Sequence, residues 1–534
     1  MITPDYIQIQ TKDDSWEQLD HVCKNVWNGS AKVLIESVGN DEVTVSVAAT
    51  ETAIKRIHLT WNKQFKQNTV YSGDQFERSY GDMHFSTLDP DRRMQWYFLA
   101  NNDAQIEGWG LRIGPTALGY WQVNTNAVDL WLDVRNGTQA LQLTNRELEC
   151  ATVVWMKGNH YENCFAFARE FCERLAIGSR HVQTPRLYGA NDWYYAYGHN
   201  TAKSVEALSS YIATVTDGMT NRPFMVIDDG WEQEWSDTYN GGPWKQSNTD
   251  FDGMAKIAEI IKAMDVRPGI WFRPLLTRRS AVTDVDMILR DYDSESVVLD
   301  PSHPKVLELV AADVRRIKRW GFELIKHDFS TVDIFGANGF EMVSDYFAFD
   351  TSFYDSTKTT AEIITTFYKT IQAAAGDTIV TGCNTVSHLA AGIFAAQRIG
   401  DDTSGVNFAR TRQMGVNSLA FRLPQNNIFY TCDADCVGIT ENIPWRDNQQ
   451  WLHLLAQSAT PLFVSCDPLK MTDTITEELK AAFELVNSPD TTAIPIDWEY
   501  NVYPERWQTN SGEQHFDWYE RPRLAESPAK PFTI

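Results

Sequence analysis

Five short stretches of this chain run from apolar residues into side chains that can do chemistry. Phe-Met-Val-Ile-Asp228-Asp229-Gly230-Trp231 meets two adjacent carboxylates, and Phe322-Glu-Leu-Ile-Lys326-His327-Asp328 ends in a cation and an anion. Ile-Val-Thr-Gly382-Cys383-Asn384, Arg398-Ile-Gly-Asp401-Asp402 and Asp433-Ala-Asp435-Cys436 finish in the same way. A buried strand does not tolerate such residues before its end. One polar strand end is an ordinary salt-bridged rim. Five on the strands of one parallel barrel converge on its carboxyl-end mouth, where barrels of this kind carry their sites.

The residue types narrow the chemistry. Lys326 and Asp328 are two apart and share a strand face, so the ammonium keeps the carboxylate ionised, as a nucleophile requires. Asp401 and Asp402 are like charges side by side, which is expected to raise one pKa toward a proton donor's; the spacing leaves open which of the two. Two separate carboxylates facing one ring are the requirement of glycoside hydrolysis. The remaining carboxylates, one lysine and one arginine suit sugar hydroxyls, each of which donates and accepts. No metal is expected: there is no Cys/His set with metal spacing, and His327 points away from the face that carries Asp328. No phosphate-cradling glycine loop occurs, and no organic cofactor is implied.

These stretches need a scaffold that aligns them. Eight strand candidates follow one another: Arg186–Asp192, Phe224–Trp231, Val266–Pro274, Phe322–Ser330, Thr378–Thr385, Ala395–Thr403, Asn427–Cys436 and Pro461–Asp467. Helical segments such as Asp252–Met264, Lys305–Trp320, Thr359–Ala375 and Asp447–Ser458 fill the gaps, which predicts an α/β fold, a (β/α)8 TIM barrel. Before it, Val43–Ala49, Gly108–Gly114, Val128–Val134 and Glu149–Trp155 read as short strands with turns between them, which predicts an N-terminal β-sandwich. A helical run from Tyr161 to about Ala176 leads to a boundary at Pro185. The expected domains are 1–184 for the sandwich with its linker helix, 185–490 for the catalytic barrel, and 491–534 for a short C-terminal tail with a few strands.

Composition sets the outer limits. The 534 residues carry a formal net charge of -24, which opposes nucleic acid or an anionic membrane as partner. Hydrophobic residues make up 43 %, enough for large cores. Nineteen tryptophans and twenty tyrosines suit either sugar faces or a large β-rich core. The eight cysteines form no Cys-x-x-Cys pair and read as reduced, mostly buried thiols. The N-terminus has neither the basic region nor the apolar core of a signal peptide, and no apolar run is long enough to span a membrane, so a cytoplasmic location is expected.

Taken together, Ile-Asp228-Asp229-Gly-Trp, Pro268-Gly-Ile-Trp271-Phe-Arg-Pro274, Lys326-His-Asp328, Gly382-Cys383 and Arg398-Ile-Gly-Asp401-Asp402-Thr403 resemble the signature series of the retaining α-galactosidases of glycoside hydrolase family 36, in the clan shared with family 27. The resemblance spans about residues 105 to 470, in order. It implies Asp328 as nucleophile and Asp402 as acid/base. It implies Asp228 and Asp229 on the galactose O4 and O6 hydroxyls, Lys326 near O3 and O4, Arg398 near O2, and Trp271 and Cys383 as pocket wall. It further implies an exo-acting enzyme that removes terminal α-linked galactose from oligosaccharides. The same machinery also serves an α-N-acetylgalactosaminidase, a β-L-arabinopyranosidase or a raffinose-synthase-like transferase; a non-catalytic sugar-binding protein is the reading from another class. The chain departs from the family's pattern at Asp401, an acidic residue beside the acid/base, at His327, and in its short tail.

Overall fold

The computed structural model describes residues 3–102, 105–159, 163–179, 183–342, 345–489 and 491–520. All eight expected barrel strands form. They are Tyr188–Asn191, Phe224–Ile227, Arg267–Phe272, Leu324–His327, Ile379–Gly382, Ala396–Arg398, a seventh in two halves (Thr431–Asp433 and Cys436–Ile439), and Leu462–Cys466. Every pairing among them is parallel, and the first strand pairs with the eighth. The seventh closes the ring: its first half pairs with the sixth strand and its second with the eighth. The two halves are hinged at Asp435, whose φ is +76°. The expected start of this strand, Asn427–Tyr430, is instead a turn in which the Asn427 amide donates to the Tyr430 carbonyl over 2.8 Å.

Strand alternation separates two apolar regions. Val226, Leu324, Ile379, Ala396 and Phe463 belong to a small cluster of their own that fills the barrel lumen. Met225, Ile227, Ile325 and Val380 face the other way and join the larger core beneath the helices. Those helices follow their caps. Pro304–Trp320 has Pro304 in its first turn, His303 accepting from the Lys305 amide, and Gly321 at φ +100° after its end. Its buried Val306, Val310, Val314 and Ile317 form one stripe. Thr360–Ala375 starts from a capping box between Thr359 and Glu362.

One gap departs from the expected helical filling. Between the fifth and sixth strands lies only the single turn Ser387–Ala390. The N-terminal domain covers the barrel there: His388 stacks on Trp96 at 4.9 Å, and its Nε2 lies 2.9 Å from the Leu111 carbonyl.

That domain is an antiparallel sheet in the order Trp16–Gln18, Tyr6–Thr11, Ile54–Asn62, Ala127–Asp133, Leu118–Val123, Met94–Asn101, Gln105–Leu111, Glu147–Asn159, Glu42–Ala48, Lys32–Ser37, Val26–Asn28 and Asp20–Cys23, with Val70–Asp74 added beside Met94–Asn101. It folds over a core in which Trp61, Trp109 and Trp121 meet at 5.7–6.0 Å. The abundant tryptophans thus serve mainly as core: Trp27, Trp96, Trp121, Trp231, Trp271, Trp451, Trp507 and Trp518 are among the largest fully buried side chains. The helix expected from Tyr161 runs over Cys164–Leu175 with Asn163 as its cap; 160–162 lie outside the described residues.

After the barrel, Ala493–Pro495, Arg506–Thr509 and Gly512–His515 form a small antiparallel sheet. Trp498 from this segment packs on Phe85, Phe165 and Phe421, which joins all three parts of the chain. The end of the expected tail, 521–534, lies outside the described residues. Cys23 is exposed and the other seven cysteines are buried free thiols. Among the described residues no helix is long and apolar enough to cross a membrane.

Candidate active site

The eight residues expected to form the site lie in one connected network at the carboxyl ends of the barrel strands. Asp328 follows the fourth strand. The amides of Phe329 and Asn384 donate to its Oδ1 over 2.8 and 3.2 Å, and the Trp271 indole donates to its Oδ2 over 3.0 Å. Three N–H donors fix one rotamer and stabilise the anion. Burial alone would raise the pKa of this carboxyl; Lys326 and Arg78 outweigh it, and Asp328 lies below the usual carboxylate range. Phe329 takes a left-handed conformation at φ +61°, which turns the chain away just after the carboxylate.

Lys326 sits two residues earlier on the same face. Its Nζ is 2.7 Å from Asp228 Oδ2, the oxygen that also accepts from Asn191 Nδ2 over 2.5 Å. The Asp228 amide donates to Asp192 Oδ1 over 2.8 Å. Asp229 turns toward Asn240, which donates to it over 2.9 Å and in turn accepts from Arg273. Gly230 is required by this turn: its φ is +119°, and a Cβ there would lie 2.2 Å from the Gly198 carbonyl oxygen. Asp229 lies beside the buried Glu232; burial raises both acids, Asp229 to about 6.

His327 points to the outside of the barrel, as the strand period requires. It lies among Phe367, Tyr368 and Phe394, and its Nε2 meets the Ser330 hydroxyl. Burial brings its pKa down to about 3 despite the nearby Asp328, so it is neutral.

Asp402 stands across the mouth. Arg398 Nη2 lies 2.9 Å from its Oδ1 and 2.5 Å from Asp435 Oδ2. Asp435 also accepts from the Thr403 amide and hydroxyl over 2.7 and 2.8 Å and from the Tyr194 hydroxyl, so it locks the arginine and the loop that carries Asp402. Arg398 Nη1 reaches the Cys383 sulfur at 3.7 Å. The Asp402 side chain is 37 % exposed, whereas that of Asp228 is 3 % exposed. The network is therefore deep at Asp228 and open at Asp402.

Two findings differ from the sequence reading. The pKa of Asp402 is not pushed up. Burial acts in that direction, but Arg398, Arg78, Lys326 and Arg410 outweigh it and bring Asp402 down to about 2. Asp401 is drawn off by its own partners, Arg410 at 2.6 Å and Arg78 at 2.9 Å. The second finding is Arg78 itself, which comes from the N-terminal domain and carries no strand-end signature. Its neighbour Glu77 accepts from the Asn384 side chain and from the Gly339 amide. Asp435 stands in one of the five strand-end stretches and Glu232 one residue past another, but nothing in the sequence separates partners of the site residues from the rest of the rim.

No protein-family model matches this chain, and none of the curated proteins does. Solved structures are similar in fold. An α-galactosidase from Thermus thermophilus in complex with p-nitrophenyl α-D-galactopyranoside superposes with a TM-score of 0.61 at 14 % identity, over 96 % of this chain and 99 % of that one. The family 36 α-galactosidase of Geobacillus stearothermophilus in complex with 1-deoxygalactonojirimycin gives 0.61 at 11 % identity, over 95 % and 79 %. The α-galactosidase from Lactobacillus brevis gives 0.57 at 12 % identity, over 94 % and 75 %. The architecture of this chain, a β-sandwich followed by a (β/α)8 barrel, is that of the family 36 α-galactosidases.

Proposed function

We propose that this chain is a retaining exo-glycoside hydrolase that removes terminal α-linked galactose from oligosaccharides by double displacement. The observation that carries the reading is the pair of differently held carboxylates. Asp328 is fixed by three N–H donors beside Lys326, and Asp402 is held by Arg398 at the open edge. In the first step Asp328 attacks the anomeric carbon and Asp402 gives its proton to the departing oxygen. In the second, Asp402 takes a proton from water, which displaces Asp328. Both carboxylates are ionised in the free site, so the acid acquires its proton as the sugar and leaving group cover its exposed side and remove water from it.

The buried Asp228 and Asp229 and the largely buried Lys326 offer groups that match the O4, O6 and O3 hydroxyls of a terminal sugar. Near O2 the space is narrow, because Arg78 and Arg398 lie 3.8 and 3.7 Å from the same Cys383 sulfur. That favours a 2-hydroxyl over a 2-acetamido group and galactose over N-acetylgalactosamine. The substrate class agrees with the ligand of the similar Thermus structure and with raffinose in another Geobacillus one.

A panel of aryl α- and β-glycosides tests the proposal. Release from the α-galactoside alone, with α-galactose as first product, is the expected result. Release from an N-acetyl-α-galactosaminide or β-L-arabinopyranoside instead would move the substrate, and a β first product would exclude retention.

A further inference from the structure

Segment 74–86 of the N-terminal domain is threaded across the barrel mouth. Asp74 pairs with Arg422 at 2.8 Å, both buried. The Ser79 amide donates to the Ile399 carbonyl and the Asp401 amide donates back to the Ser79 carbonyl, each over 2.8 Å. Two backbone hydrogen bonds therefore bind this segment to the loop that carries Asp401 and Asp402. They fix the position of Arg78. Its side chain is 11 % exposed, with Nη2 at 2.9 Å from Asp401 and Nη1 at 3.7 Å from Asp402. The same Nη1 reaches the Cys383 sulfur, and the guanidinium carbon lies 5.8 Å from the centre of the Tyr80 ring.

We propose that Arg78 is a positioning residue for proton delivery by Asp402, and that Asp401 sets how strongly it acts. The inference rests on the reading of Asp402 as acid/base. Several charged groups surround that carboxyl. Arg398 and Asp401 come from its own strand and loop, Arg410 from the helical run that follows, and Lys326 and Asp328 from the fourth strand. Tyr194 follows the first strand, Cys383 the fifth, and Asp435 lies in the break of the seventh. Arg78 alone among them comes from another domain. It is divided between two carboxylates at unequal distance, closer to Asp401. Arg410 competes for the same Asp401 from the other side at 2.6 Å. The Arg410–Asp401–Arg78 chain thus meters the positive charge that reaches Asp402, and the N-terminal sheet becomes part of the acid/base apparatus without touching the sugar's deep end.

The geometry gives opposite signs for the two partners. Loss of Arg78 removes a cation, so Asp402 keeps its proton to higher pH. Loss of the Asp401 charge frees Arg78 for Asp402, so the proton leaves at lower pH. A purely structural lesion has no reason to split in this way. The experiment is kcat against pH on methyl α-galactoside, whose departure needs a proton, for wild type, Arg78→Gln, Arg78→Lys and Asp401→Asn. The alkaline limb should move up by about one pH unit in Arg78→Gln, return toward wild type in Arg78→Lys, and move down in Asp401→Asn. An unmoved limb in Arg78→Gln, or movement of Arg78→Gln and Asp401→Asn in the same direction, overturns the inference. If Arg78→Gln does not fold, the downward shift of Asp401→Asn decides alone. If the wild type turns over no α-galactoside, it is the functional reading that fails. The inference is then decided on the Asp402 carboxyl itself, by its 13C signal identified through its loss in Asp402→Asn. A higher titration midpoint in Arg78→Gln than in wild type, or a lower one in Asp401→Asn, supports it, and equal midpoints overturn it.

Discussion

Trp271 is tied to the proposed nucleophile: the indole N–H donates to Asp328 Oδ2 over 3.0 Å, while the Trp271 carbonyl accepts from the Trp231 indole over the same distance. Trp271 is therefore held through both its side chain and its backbone. Trp271→Phe keeps an aromatic wall and deletes one charge-assisted hydrogen bond, worth roughly 1.5–3 kcal/mol. We expect kcat/KM on α-galactosides to fall by about tenfold or more. The acidic limb of the pH profile should move up, because the ionised form of Asp328 loses a stabilising donor. An unmoved acidic limb would detach the indole from the nucleophile's ionisation.

The buried pair of Asp229 and Glu232 sets function against stability. Burial raises Asp229 to about 6 in the folded chain, from 3.8. The native state then binds more protons than the unfolded one between these values, so stability falls as pH rises through that window. Asp229→Asn removes the penalty. It should raise the stability of the folded chain above pH 6 and leave it unchanged below about pH 4. The same substitution should lower kcat/KM about tenfold or more, because a charged hydrogen bond to the sugar is lost. Thermal melts across pH 3.5–7.5, paired with kinetics, check both halves; full activity in Asp229→Asn would remove the residue from the site.

Two buried histidines act with the opposite sign. His388 is held near pKa 4 and His327 near 3, chiefly by burial, against 6.5 for a free side chain. The unfolded chain binds more protons than the native one below pH 6.5, so stability falls as pH drops from there toward 4 and 3. For His388 the full effect is on the order of 3 kcal/mol. His388→Gln keeps a polar group at the seam between the domains and cannot titrate. It should flatten the fall of Tm between pH 6.5 and 4; an unchanged slope would mean that His388 contributes nothing to acid unfolding.

The domain junction predicts the outcome of truncation. Phe76 packs on Phe335 and Tyr346, Trp96 on His388, and Arg135 pairs with Asp345. A chain shortened to begin at Pro185 would expose that apolar seam and lose Arg78 with it. We expect it to be insoluble or, where soluble, at least tenfold less active. Full activity from the shortened chain would show that the N-terminal domain has no part in the site.

The strand ends were legible in the sequence because a charged residue after an apolar run has few places to go. Asp228, Lys326, Asp328 and Arg398 fell out of period and composition, and the resemblance added Trp271 and Cys383. The eight strands followed from the same pattern. Arg78 was not legible, because its role arises from a contact between residues more than three hundred positions apart. The electrostatics of Asp402 were misread for the same reason. Adjacency in sequence suggested repulsion from Asp401, but Arg78 and Arg410 neutralise that neighbour, and only the folded chain brings them there. The missing helix between the fifth and sixth strands was hidden in a similar way, because a docked domain does the covering that the local sequence would otherwise have to do.

The two proposed catalytic carboxylates separate by what each variant can still do. Asp328→Gly lacks the attacker and should turn over no substrate. Asp402→Ala lacks only the proton donor. Oligosaccharides and methyl galactoside, with poor leaving groups, should lose about a hundredfold or more. Aryl galactosides with good leaving groups need no proton, so their first step should survive and the galactosyl-enzyme should accumulate, because its hydrolysis still needs a base. Azide needs no base and should speed that second step. The configuration of its product then reports the route. Attack by Asp328 on an α-galactoside inverts the anomeric carbon to a β-linked enzyme ester. Azide inverts it again, so Asp402→Ala should yield α-galactosyl azide. In Asp328→Gly, azide fills the vacated space and displaces the leaving group directly, a single inversion that gives β-galactosyl azide. The anomeric NMR signal of each adduct is the measurement. A β-azide from Asp402→Ala together with an α-azide from Asp328→Gly would exchange the two roles.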